Sequence, residues 1–124
     1  MRVPGPFARI IGLAITVCAS PALALDAHYE GLREFVRGQP SCATQPSAVI
    51  VDVGSDGGVR GDVFTQEGAL RFFGTVNASG KLFASYRASA STDRANIEGS
   101  FNDGRFEGFT QSKACRYSLD LTRR

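Results

Sequence analysis

The residues of this 124-residue chain whose types could do chemistry are one histidine, three cysteines and twelve carboxylates. His28 stands alone. A zinc centre needs three or four His, Cys or carboxylate ligands, and a serine nucleophile needs a strained turn of the G-x-S-x-G kind beside its histidine. The chain offers neither, so no catalytic residue, metal ligand or cofactor site is assigned, and a non-enzymatic role is expected. Among the carboxylates, Asp56 and Asp103 fall in turns. Asp52, Asp62, Glu98, Glu107 and Asp120 fall on outward faces beside Arg60, Arg87, Arg105 and Arg116, where cross-strand ion pairing accounts for them. Nothing selects two of them as the pair that a glycosidase-type hydrolysis requires. Gly57-Gly58 is followed by no helix whose N-terminus could hold a phosphate. Asn77-Ala78-Ser79 matches a glycosylation sequon and equally a hairpin turn.

The cysteines depend on compartment. Arg2 and Arg9 precede the apolar run from Ile10 to Ala19, which ends at Ser20-Pro21 and the small-residue triplet Ala22-Leu23-Ala24. That order is expected of a secretory signal peptide over residues 1–24; a membrane span needs about 20 apolar residues, and this core is about half as long before Pro21. Removal of residues 1–24 leaves a single domain over residues 25–124, with no membrane span in the mature chain. It also removes Cys18, so that Cys42 and Cys115 remain as an even pair in an exported protein and a disulfide is expected. A redox-active pair sits close in sequence at a helix start; these are 73 residues apart. Loss of Arg2 and Arg9 also levels the charge from 14 basic against 12 acidic residues to 12 against 12. A neutral mature chain with no basic run lacks the electrostatic footprint of a nucleic-acid binder.

From residue 48 onward, apolar and polar residues alternate and glycines punctuate them at regular intervals, which is an all-β pattern. Strands are expected over Val49 to Val53, Val59 to Phe64, Ala69 to Val76, Lys81 to Ala88, Ala95 to Phe101, Arg105 to Gln111 and Cys115 to Leu121. An eighth begins at Tyr29, in competition with a short helix that would align Tyr29, Leu32 and Val36. Gln39 to Pro46 is a loop, because its two prolines withhold donors.

Parity tests the strands, since residues paired across a hairpin share a face. Asp103-Gly104 fits a two-residue type I′ turn that pairs Phe101 with Phe106. Ala78-Ser79-Gly80 and Ser55-Asp56-Gly57 give odd loops, pairing Val76 with Leu82 and Val53 with Val59. Thr65 to Gly68 gives an even loop between Val63 and Leu70. All four hairpins agree, so the fold class is an antiparallel up-and-down meander of about eight strands that forms a small closed or nearly closed barrel, with Cys42 and Cys115 at one rim.

Apolar-x-Gly-x-apolar patterns around Gly61, Gly74 and Gly99, with a looser copy at Gly108, put glycine on the inward face. Either barrel curvature or room for facing aromatic rings demands it. The inward set runs through Val49, Val51, Val53, Val59, Val63, Leu70, Phe72, Val76, Leu82, Tyr86, Ile97, Phe101, Phe106, Tyr117, Leu119 and Leu121, with Tyr29 if its strand forms, and nearly fills such a barrel. Phe64, Phe73, Phe83 and Phe109 break the outward polar face. Phe73 and Phe83 fall diagonally on adjacent strands, as a contact surface for a partner or as a patch covered by the N-terminal segment.

The exported start, the Tyr29-Glu30-Gly31 opening, Cys42, the repeated G-x-[VF] strands and the ending from Cys115 to Arg124 resemble those of small secreted single-disulfide β proteins of Gram-negative bacteria. The resemblance implies periplasmic or secreted residence and a compact β fold, and carries no activity or site residue with it. The function expected is a surface acting on a macromolecular partner, a protein or envelope component, as an inhibitor or accessory; the alternative is a carrier of a small apolar ligand inside the barrel.

Overall fold

The computed structural model describes residues 26–87 and 94–124. The expected signal peptide with Cys18, together with Ala88 and Asp93, lies outside the described residues. Eight antiparallel strands follow one another around a closed barrel: β1 (Ala27–Gly38), β2 (Ser47–Val53), β3 (Gly58–Thr65), β4 (Gly68–Val76), β5 (Lys81–Arg87), β6 (Arg94–Asn102), β7 (Arg105–Gln111) and β8 (Cys115–Arg123). No helix among the described residues is long and apolar enough to cross a membrane. Tyr29 opens a strand rather than a helix, because β1 pairs with β2 on one edge and β8 on the other; closure supplies partners for backbone groups that a lone helix would satisfy internally.

The hairpin pairs follow the parity argument. Val53 opposes Val59, Val63 opposes Leu70, Val76 opposes Leu82 and Phe101 opposes Phe106. Asp103 and Gly104 take φ of 52° and 78°, the two left-handed residues that a type I′ turn requires. The Asn77 side chain organises its turn, its Oδ1 accepting from the amides of Ser79 and Lys81 at 2.9 and 3.0 Å.

Most of the barrel interior is apolar, with Arg33, Ser47 and Thr110 as buried polar residues towards one end. Fifteen of the seventeen expected inward residues are buried, and Leu70 and Phe101 pack partly buried against them. Both reasons for the inward glycines operate. A Cβ on Gly61 or Gly99 would strike the rings of Phe72 or Phe106, whereas one on Gly74 or Gly108 would strike the backbone of the neighbouring strand.

At the seam, β1 and β8 pair from Tyr29 with Arg123 to Gly38 with Cys115, with a bulge between Phe35 and Arg37. Just past that seam Cys42 and Cys115 are joined in a disulfide, their Cα atoms 5.8 Å apart.

Candidate functional site

Alternation along β1 carries Tyr29, Gly31, Arg33 and Phe35 to the inside. Arg33 therefore enters the barrel as a charge and is only 4% exposed. Its guanidinium lies over the Tyr117 ring of β8, 3.9 Å from the centroid. The Phe35 ring meets the same Tyr117 ring edge-on, with centroids 5.9 Å apart. Nη2 donates to Ser47 Oγ at a long 3.4 Å, and Nε has no acceptor. Among the described residues no carboxylate pairs with Arg33.

Around this guanidinium a cavity of about 680 Å³ opens at the disulfide rim. Its walls are the last inward positions of the strands: Ser47, Leu70, Tyr86, Ala95, Thr110 and Tyr117. Cys42 and Cys115 form part of the same rim, and Glu67 lies on the exposed β3–β4 turn beside it. One inward step deeper, on five of the strands, Val49, Val63, Phe72, Ile97 and Leu119 are at most 3% exposed and form the floor. Beyond them Phe101 packs between Tyr29 and Phe106, with centroids 4.9 and 4.7 Å apart. The expectation of an almost filled interior holds for the far end and fails at the disulfide end. The rim positions there carry small or polar side chains (Ser47, Ala95, Thr110), which cannot fill the taper between strands.

Phe73 and Phe83 lie on the outer face as expected, 63% and 55% exposed. Phe73 opposes Ser85 and Phe83 opposes Thr75, so the rings are diagonal neighbours across β4 and β5. From residue 26 onward the N-terminal segment does not cover them, because it forms β1 in the seam. Phe64 is exposed, whereas Phe109 lies under the Arg116 guanidinium at 3.8 Å.

The outward carboxylates pair across strands, with partners outside the expected set of arginines in two places. Asp62 takes Arg71 at 2.9 Å, the residue directly opposite on β4. Asp52 takes His28, which opposes it across β1 and β2. Arg105 bridges Asp120 of β8 at 2.6 Å, as cross-strand pairing predicts, and also Glu107, two residues along its own strand, at 3.2 Å.

His28 is held from both sides, Nδ1 on Asp52 at 2.6 Å and Nε2 on Glu30 at 2.7 Å. The two nitrogens point to opposite ring edges, so the carboxylates diverge instead of converging on one point. Among the described residues no three His, Cys, Asp or Glu side chains form a metal site. Hydrogen bonding of the ring to the Asp52 carboxylate, then to that of Glu30, raises the imidazole above its ordinary value of 6.5. A raised folded-state value means that the stabilisation is complete below pH 6.5 and fades as pH climbs through the folded value. All three side chains are more than a third exposed, which limits the effect to about 1 kcal/mol or less. His28→Gln therefore flattens the stability profile above pH 6.5, measured by urea unfolding; an unchanged slope would assign that slope to other groups.

Comparison with protein-family models, curated proteins and solved structures finds no match to this chain.

The site and its chemistry are thus those of the chain's own barrel. A solvent-open cavity lined by both apolar and polar side chains, with a buried cation in its wall, can take up a small molecule and orient it.

Proposed function

We propose that this chain is an exported, non-enzymatic barrel that holds a small, largely apolar ligand in its disulfide-side mouth. The observation that carries the reading is the cavity of about 680 Å³, within the range of ligand pockets of roughly 300–1,000 Å³, resting on a packed floor. Export to the periplasm or the medium is supported by the basic, apolar and small-residue run of residues 1–24, and a disulfide is consistent with an extracytoplasmic location. The resemblance to small secreted single-disulfide β proteins of Gram-negative bacteria points the same way.

The neutral fluorophore N-phenyl-1-naphthylamine tests the reading. It brightens saturably at one site on the oxidised protein, and Leu70→Trp, which fills the mouth from β4, weakens that binding about ten-fold or more while the far-ultraviolet circular dichroism is retained. Absence of saturable binding, or binding indifferent to Leu70→Trp, rejects it.

The exposed diagonal pair Phe73 and Phe83 favours a second reading, in which the outer face of β4 and β5 docks a protein or envelope component. Phe73→Ser/Phe83→Ser separates the two. It leaves fluorophore binding intact under the first reading and removes capture of a periplasmic partner under the second.

A further inference from the structure

We infer that the ligand of the barrel mouth is a singly charged carboxylate amphiphile, its acid group on Arg33 and its apolar part against Leu70, Tyr86 and Ala95; this rests on the reading of the mouth as a ligand site. A guanidinium stays charged at any working pH and carries five N–H donors, and burying it without a counter-charge is costly. Arg33 is 4% exposed, yet its only hydrogen-bond acceptor among the described residues is Ser47 Oγ, at 3.4 Å. Its Nε has none.

Tyr117 holds the guanidinium in place from one face. That contact fixes its plane without neutralising it, which is how a cation is kept ready for a planar anion. Arg33 is one of the residues that line the cavity. A carboxylate meets the fork of an arginine with two parallel hydrogen bonds and one compensating charge.

The charge number follows from the rest of the lining. Arg33 is the only basic residue among the described residues that line the cavity. A phosphate dianion would bring a second negative charge with no further cation among those described residues to meet it. A neutral alcohol would leave Arg33 uncompensated, and a cationic amphiphile would add a second buried positive charge.

Four probes of one chain length test the assignment by titration calorimetry on the full, oxidised protein: dodecanoate, dodecanol, dodecyl phosphate and dodecyltrimethylammonium, all below their micelle concentrations. Dodecanoate binds tightest, and Arg33→Met weakens it about ten- to hundred-fold while changing dodecanol by about two-fold or less. Arg33→Lys, which keeps the charge, preserves the order of the probes. The order on the wild-type protein is decisive even where Arg33→Met does not fold. Dodecanol or dodecyl phosphate binding as tightly as dodecanoate, or indifference of dodecanoate to Arg33→Met, overturns the carboxylate assignment and leaves the mouth as an apolar site. If none of the four binds, both the assignment and the ligand-site reading fail.

Discussion

Replacing Cys42 and Cys115 together by alanine lowers the unfolding free energy by about 4.4 kcal/mol, the loop-closure value for a crosslink of this span. The bridge joins residues separated by 73 positions and encloses six of the eight strands, from β2 to β7. A domain has roughly 5–15 kcal/mol in all, so the variant sits close to the edge of folding at 37 °C. Topology makes the effect larger in practice than for a bridge within one hairpin. The seam between β1 and β8 is the one pairing between strands from opposite ends of the chain, and the disulfide tethers the segment just after β1 to the start of β8 in the unfolded state. Urea unfolding of wild type and variant measures the difference. A loss below about 1 kcal/mol would mean that the unfolded chain already keeps its ends close, against the chain-entropy account.

The second large effect concerns Gly61 and Phe72, which oppose each other across β3 and β4. The Phe72 ring lies so closely over Gly61 that a methyl group added there would meet three atoms of that ring before any other. Phe72 is 1% exposed and also meets Tyr86, with centroids 6.4 Å apart. Phe72→Ala therefore opens a cavity in the floor of the mouth at a cost of about 3–5 kcal/mol. Gly61→Ala forces the ring aside at about 1–3 kcal/mol. The combination Gly61→Ala/Phe72→Leu costs less than Gly61→Ala and Phe72→Leu made singly, because the added methyl occupies space that the smaller side chain leaves. Chemical denaturation of wild type, the two single variants and the double variant gives the coupling, expected at about 0.5–3 kcal/mol. Strict additivity would show that Gly61 is required by strand curvature alone.

Much of this architecture is legible in the chain. Turn residues and loop parity determine which residues pair in the hairpins after β2, β3, β4 and β6, because a two-residue period leaves only one face for Val63, Phe72, Leu82 and Phe106. The disulfide is legible from compartment and count. The β1–β2 register is not, since the long loop from Gln39 to Pro46 obeys no parity rule; the contact between His28 and Asp52 depends on that register. Arg33 was legible in principle, as the fourth residue after Tyr29 on a strand, but the competing helical pattern over Tyr29, Leu32 and Val36 hid its inward direction. The cavity was hidden for a different reason. Its size depends on how the rim side chains of all the strands converge after closure, a quantity that no local pattern carries.

Outward charge pairing was legible only as a class. Arg105 reaches Asp120 on β8 and Glu107 on its own strand, and Asp62 takes Arg71, directly opposite on β4, a cross-strand pair of the expected kind whose basic member no local pattern picks out.

The most direct test of a ligand-binding mouth is a map of where a ligand goes. Amide chemical-shift changes on titrating the oxidised protein with N-phenyl-1-naphthylamine concentrate at Ser47, Thr65, Leu70, Tyr86, Ala95 and Thr110, and leave the Asp103-Gly104 hairpin at the far end unmoved. Shifts centred on Phe73 and Phe83, or spread evenly over the barrel, would contradict the account.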